Sequence, residues 1–511
     1  MRLNILIGGR AGQGVNRVSE IVSKILVDKG YFVFNYRDYP SLIRGGHNFN
    51  ILSISDEEIY SFESKLDGVI ALDTKTLGIH KKSLKKDGFT LSRNDFPGMG
   101  INLNIALAGA LTKILGVEKR ILLNEVKKKF NNDASIGAAK QGFDKFERRY
   151  SLGKKESARK NRTILMSGSE GIAKGFLDSK ADLYIAYPMT PATPVMHLLA
   201  KEQVRNKLLV FQPENELAVI NSAIGASFTG AKVMVGTSGG GYDLMTESLS
   251  MQGVAEVPLV VYLASRPGPG TGVPTYSTQA DLDIALRGGH GEFPRIVIAP
   301  GTAEQARRVT NEAFYLSQKF NALSIILSDK HMAESEYSFV QKKEKVLLVP
   351  STKDLPWKKV LRVNSYEHDG YGNTTEDPSI VEKAANGRLK KYAKIKREVK
   401  KLEMVKLYGN KKSKNLVLGW GSSTGAIIDA IEGLDVKFLQ VVYMKPLSDK
   451  IKEEMSKSEK VLLVEANVTG QLGRLVREKT GIKIDKKILK YDGRPFEKDK
   501  LKEEIARWIK N

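Results

Sequence analysis

Ala181-Asp182-Leu183-Tyr184-Ile185-Ala186-Tyr187-Pro188-Met189-Thr190-Pro191-Ala192-Thr193 is the stretch that decides how the middle of this chain is read. Its first six residues form an apolar run of strand length. Pro188 and Pro191 then fix a rigid loop that offers hydroxyl groups just past the strand end. Downstream, Pro213-Glu214-Asn215-Glu216-Leu217-Ala218 sets a carboxylate at the head of an apolar, small-residue helix predicted over 217–227. Further strand candidates follow at 208–211, 233–235, 259–263, 296–298 and 323–327. Continuous apolar runs of this kind suit a parallel sheet covered on both faces.

Outward from this core the chain divides into blocks. Residues 1–150 open with a strand at 3–7, a glycine turn (Gly8-Gly9-Arg10-Ala11-Gly12-Gln13-Gly14) and helical spacing from Val15 to Leu26. Strand, glycine turn and helix make the opening unit of a doubly wound α/β layer. A polar linker is predicted at 151–162, the central α/β block at 163–336, a polar connection at 337–414 and a compact α/β unit at 415–511. The expected class is therefore a multidomain α/β protein, in keeping with 511 residues at roughly 150 per core.

Composition narrows the function classes. Hydrophobic residues at 41% and charged residues at 27% are ordinary for a soluble globular chain. No apolar run approaches the ~18–20 residues of a membrane span, and the start shows no signal-peptide pattern, so a cytoplasmic location is expected. The chain has no cysteine, which excludes disulfides and any cysteine-ligated iron–sulfur cluster on this polypeptide. A formal charge of +23 favours anionic partners. The Lys- and Arg-rich segment 383–414 reads as a solvated helix or linker face, and no nucleic-acid motif accompanies it.

Several places offer chemistry, each with a plainer structural reading beside it. Glu216, or its neighbour Glu214, sits at a helix start, where the dipole stabilises a carboxylate whatever its task. The loop of Tyr187, Pro188 and Thr190 is, taken alone, a turn. Ser265-Arg266-Pro267-Gly268-Pro269-Gly270-Thr271-Gly272-Val273-Pro274-Thr275 closes the 259–263 strand, and an arginine there can bind a carboxylate through a bidentate pair. The turn Gly236-Thr237-Ser238-Gly239-Gly240-Gly241 either cradles an anion or packs closely against a neighbour. No protein-bound metal is expected on this chain.

Taken together, these runs resemble the α subunit of 2-oxoacid:ferredoxin oxidoreductases, in a form with an N-terminally fused γ domain. The loop of that family reads Tyr-Pro-Ile-Thr-Pro, from which Met189 departs. Gly9–Gly14 and Tyr39-Pro40-Ser41-Leu42-Ile43-Arg44-Gly45-Gly46-His47-Asn48 are similar to the γ domain, and Gly419-Trp420-Gly421-Ser422 to the C-terminal domain shared with transketolase. The resemblance covers nearly the whole chain; 337–414 matches poorly. It implies a thiamine-diphosphate pyrimidine-binding domain at 163–336 in which Glu216 faces the aminopyrimidine. Tyr187, Pro188 and Thr190 would lie beside the thiazolium, and Tyr187, Thr190, Arg266 and Thr275 would bind the 2-oxoacid, with Thr190 hydrogen-bonding it. For Arg44, Gly12 and Gly14 it implies a coenzyme A or gating role.

What the chain lacks matters equally. It has no Gly-Asp-Gly motif to hold the cofactor's pyrophosphate through a divalent metal. The resemblance then implies a β subunit that supplies Mg2+ binding, that motif and a 4Fe-4S cluster, in a heterodimer inactive without it. The implied reaction converts a 2-oxoacid and coenzyme A to acyl-CoA and CO2, with ferredoxin as electron acceptor. Fused γ domain and length lean toward 2-oxoglutarate or a broad 2-oxoacid range. A nicotinamide dehydrogenase has superficial support from Asp38, about 20 residues past the glycine turn, but leaves 187–193 and 266–275 unexplained. A non-catalytic scaffold that keeps the fold is the alternative of another class.

Overall fold

A computed structural model describes residues 1–41, 46–152, 162–349 and 362–511. Within the predicted linker 151–162, residues 153–161 lie outside the described residues, as does Arg44. Contacts divide the chain into two compact units. The first takes in 1–167, 334–343 and 496–503; the second takes in 168–333, 344–495 and 504–511.

The first unit is built on a seven-stranded sheet. Its spatial order is Leu84–Ser92, Leu66–Ala71, Arg2–Arg10, His47–Ser55, Phe32–Asp38, Glu336–Val340 and Thr163–Ser167. Arg2–Arg10 runs parallel to Leu66–Ala71 but antiparallel to His47–Ser55. The layer is therefore mixed, not doubly wound as the glycine turn suggested. Only eight residues separate Phe32–Asp38 from His47–Ser55, too few for the helical crossover that parallel neighbours need. The predicted helix after the glycine turn is present as Val15–Asp28, and its apolar face is buried against the sheet. Thr163–Ser167, which opens the predicted central block, and Glu336–Val340, which begins at its last residue and runs into the predicted connection, pair with each other and close the far side of this sheet.

The second unit holds two sheets. The larger runs in the order Tyr443–Lys445, Arg295–Ile298, Leu323–Asp329, Leu259–Ser265, Val233–Thr237, Leu183–Ala186, Leu209–Phe211. All neighbours are parallel except the first pair. Leu259–Ser265 and Leu323–Asp329 are buried at every position, as their unbroken apolar runs require. The smaller sheet comprises Val405–Gly409, Lys437–Val441, Asn415–Trp420, Lys460–Glu465 and Lys486–Leu489. Tyr443–Lys445, from the C-terminal block, joins the larger sheet and ties the two together.

Two buried carboxylates fasten this unit, Asp329 across the junction and Glu465 within the smaller sheet's own block. Asp329, fully buried, accepts hydrogen bonds from Ser277 Oγ (2.9 Å), the Met332 amide (3.0 Å) and Ser422 Oγ. Glu465 accepts from Trp420 Nε1 at 2.8 Å and from the Leu472 amide at 3.0 Å. Burial pushes both carboxyls above the ordinary range, and the bonded donors oppose it. The polar connection is not featureless. It contains Pro378–Val399, a 22-residue helix begun by Asp377, whose carboxylate accepts from the Ser379 amide at 2.8 Å and the Ile380 amide at 3.1 Å. Only Ile395 and Val399 of that helix are buried, so most of its basic surface is solvated.

Candidate functional site

Four adjacent strands of the larger sheet end side by side: Leu209–Phe211, Leu183–Ala186, Val233–Thr237 and Leu259–Ser265. Loops leaving the carboxyl ends of parallel strands are where an open α/β sheet gathers its functional groups. Here those loops carry, in the same order, Glu216, Tyr187 to Thr190, the glycine turn after Thr237, and Arg266 to Asp281.

Glu216 opens the helix Glu216–Phe228. Asn215 caps that helix, its side chain accepting from the Ala218 amide at 2.9 Å. The Glu216 side chain is only 5% exposed, yet its buried Oε1 has no hydrogen-bond partner among the described residues. Buried polar atoms are usually paired with protein or ordered water, so this carboxylate oxygen is open to an incoming donor. The carboxylate packs against Gly241, in the first turn of the helix Gly239–Ala255. A β-carbon at that glycine would stand 2.7 Å from Glu216 Oε1 and 2.2 Å from Thr237 Oγ1. The glycine turn is thus a close-approach element.

Arg266, half-buried, donates from Nη1 to the Thr190 carbonyl at 3.2 Å, which joins two of the predicted loops. Burial lowers its pKa, while Glu216 and Asp281 raise it, so the guanidinium lies in the field of both carboxylates. Among the described residues it makes no ion pair. Thr275, in the same loop, is 5% exposed and its Oγ1 is also unpartnered. Tyr187 and Pro188 are exposed at the loop's outer edge, with Tyr187 at 39%. Thr190, Glu216 and Arg266 are thus gathered at one end of the sheet.

Asp281 is the member of this group to which no role was attached from sequence. Its Oδ2 is buried without a well-aligned hydrogen bond among the described residues and would lie 2.7 Å from a β-carbon at Gly239. The three glycines 239–241 were the available signal, since such a run at a helix start is tolerated for space rather than for helix stability.

The N-terminal candidates lie in the other unit. Gly12 and Gly14 both have φ +87°, a conformation glycine adopts without strain. A β-carbon on Gly12 would meet none of the described residues within 4 Å, whereas one on Gly14 would lie 2.1 Å from Asn104 Nδ2. In the same unit His47 Nε2 and His80 Nε2 face each other at 2.8 Å.

Residues 174–403 match the thiamine-diphosphate-binding domain of pyruvate flavodoxin/ferredoxin oxidoreductase, and residues 4–139 match pyruvate ferredoxin/flavodoxin oxidoreductase. The chain is 28% identical to the 2-oxoacid:ferredoxin oxidoreductase subunit alpha of a Sulfolobus species, over 100% of this chain and 98% of that subunit. The chain belongs to the 2-oxoacid:ferredoxin oxidoreductase family. Within that family of enzymes it is an α-type subunit with a thiamine-diphosphate-binding domain. A 36% identity to the 2-oxoglutarate synthase subunit KorA of Archaeoglobus fulgidus spans 34% of this chain and 50% of that one. The fold is that of the 2-oxoglutarate:ferredoxin oxidoreductase from Magnetococcus marinus, solved with 2-oxoglutarate, coenzyme A and succinyl-CoA bound. That chain superposes with a TM-score of 0.90 over 99% of both chains at 23% identity. No helix among the described residues is long and apolar enough to cross a membrane.

Proposed function

We propose that this chain is the α subunit of an oxidoreductase that decarboxylates a 2-oxoacid with coenzyme A, yielding acyl-CoA, CO2 and reduced ferredoxin in complex with a β subunit. The observation that carries the reading is the buried, unpartnered Oε1 of Glu216 packed on Gly241 within the field of Arg266. Thiamine diphosphate, when bound, supplies the nucleophilic carbon and electron sink that such a decarboxylation needs. Glu216 Oε1 fits a ring N–H donor of its aminopyrimidine and, held in a low-dielectric place, fixes the proton on that ring. Arg266 offers the guanidinium for the substrate carboxylate, and Thr190 and Thr275 offer hydroxyls beside it. Tyr187 and Pro188 form the outer wall. In the other unit, Gly12 and Gly14 leave an open backbone turn suited to a coenzyme A or gating role, with Arg44 assigned to the same task.

The blocks 1–150, 163–336 and 415–511 are read as γ-type, pyrimidine-binding and transketolase-C-terminal-like, joined by 151–162 and 337–414. Mg2+, the Gly-Asp-Gly motif and a 4Fe-4S cluster are assigned to the β subunit, because this chain has neither the motif nor a cysteine. A cytoplasmic heterodimer follows. Support for a partner comes from the edge of the larger sheet, where Leu209 (56%), Phe211 (46%) and Val204 (94%) are exposed beside Leu217 (49%). An apolar edge of this kind is normally covered.

The test is to co-purify the chain with a β subunit and follow coenzyme A-dependent viologen reduction across a panel of 2-oxoacids. Activity is expected only in the complex. Glu216→Ala should lower kcat by about 10²–10³-fold, the range for a removed electrostatic group. Arg266→Ala should lower kcat/KM by roughly 10–100-fold, matching the ~1.5–3 kcal/mol of a charged hydrogen bond. A loaded complex that reduces no dye with any 2-oxoacid would leave the scaffold role standing instead.

A further inference from the structure

Asp281 immediately precedes the helix Leu282–Arg287, in the position where an aspartate ordinarily caps the helix with its own side chain. It does not do so: no side-chain cap bond is present there. Instead the carboxylate turns away toward Gly239, where a β-carbon would stand 2.7 Å from Oδ2 and 3.1 Å from Oδ1. Oδ2 is buried and forms no well-aligned hydrogen bond among the described residues, although the Ser265 hydroxyl faces the carboxylate, so the usual capping energy is forgone and part of a desolvation cost is carried. The beneficiary is Arg266, whose charge both Asp281 and Glu216 stabilise without either closing an ion pair upon it among the described residues. The arginine is balanced, and its described hydrogen bond is to the Thr190 carbonyl and not to either carboxylate.

We propose that Asp281 is a positioning residue, a counter-carboxylate to Arg266 against which the carboxylate of an incoming 2-oxoacid must compete, and that it thereby sets the affinity of the site. The inference rests on the reading of Arg266 given above. A substrate carboxylate at Arg266 brings a third negative charge beside Asp281 and Glu216. The groups that face Asp281 are Arg266, Asp243 on the helix Gly239–Ala255 and the Ser265 hydroxyl. Burial chiefly raises its pKa, to about 6; the Ser265 hydroxyl opposes this, Asp243 adds to it and Arg266 opposes it. Near neutral pH, therefore, substrate binding draws one proton from solvent onto the Asp281 carboxyl, and affinity weakens as pH rises.

The experiment is calorimetric titration of the αβ complex with 2-oxoglutarate and with pyruvate, from pH 5.5 to 8.5 in two buffers of different ionisation enthalpy. Wild type, Asp281→Asn and Arg266→Ala are compared, and kcat and KM are taken alongside. The expected wild-type result is proton uptake on binding and a Kd that rises by up to about tenfold per pH unit above 6. Asp281→Asn should bind about tenfold tighter at pH 8, with a flat pH profile and kcat within a few-fold of wild type. Wild-type binding without proton uptake overturns the inference with no variant needed. So does an Asp281→Asn profile that matches wild type, or one that loses kcat at unchanged KM. If Arg266→Ala binds as wild type does, the assignment of Arg266 falls and this inference falls with it. If Arg266→Ala abolishes binding while Asp281→Asn changes nothing, only the role of Asp281 falls.

Discussion

Gly240 and Gly241 are neighbours in one helix turn with opposite surroundings. A β-carbon at Gly240 meets nothing within 4 Å, whereas one at Gly241 collides with Thr237 and with the Glu216 carboxylate. Gly240→Ala should therefore keep activity and gain about 0.4–1 kcal/mol of stability from a stiffer unfolded chain. Gly241→Ala must push Glu216 aside, and half-saturation with thiamine diphosphate should need at least about tenfold more cofactor, a cost of ~1.4 kcal/mol. Cofactor titration of the two variants side by side checks the pair; equal behaviour would show that Gly241 is not what seats the carboxylate. Asp281 gives a second residue-scale prediction, on stability alone. Its folded pKa of about 6 lies above the ordinary value, so the native state holds this proton more tightly than the unfolded chain does. Stability from this group is present at low pH and is lost as pH rises from about 4 through 6. Asp281→Asn should thus raise Tm at pH 8 and leave it nearly unchanged at pH 4.5, as thermal unfolding at the two pH values would show.

At the scale of elements, what could be read from sequence followed burial. Strands buried on both faces, such as Leu259–Ser265 and Leu323–Asp329, announce themselves as unbroken apolar runs. His47–Ser55 does not, because half its residues are polar and its antiparallel pairing with Arg2–Arg10 leaves no mark in the sequence. Tyr443–Lys445 was missed as a separate element. Only three residues long, it continues a run that belongs to the smaller sheet and crosses to the larger one. The strand-end loops of the site were legible through their prolines, glycines and charges. The orientation of Asp281 was not, since a residue before a short helix reads as a cap until its side chain is seen to point elsewhere. The edge strand Leu209–Phe211 supplies a further prediction. Phe211→Lys removes little buried area from the isolated chain, so its Tm should stay within a degree or two, as surface changes usually allow. Its affinity for a β subunit should drop about tenfold or more, since aromatic anchors dominate interfaces; gel filtration and co-purification would report it, and an unchanged complex would place the partner elsewhere.

At the scale of the whole molecule, the absence of cysteine and a formal charge of +23 describe a polypeptide that brings organic binding groups and positive surface but no cluster ligands. In the proposed reading the division of labour is chemical: this chain contributes a carboxylate and a guanidinium at the ends of parallel strands, and redox metal comes from a partner. The first unit, however, is not a continuous piece of chain. Its sheet places Glu336–Val340 between Phe32–Asp38 and Thr163–Ser167. On the ribosome, then, the earliest strands emerge long before the neighbour that seals them. About 300 residues separate Asp38 from Val340, which at ~5–20 residues per second leaves an open β-edge for on the order of 15–60 s. The nascent chain is most exposed to chaperones, and to misassociation with other growing copies, during the interval before residue 340 is made.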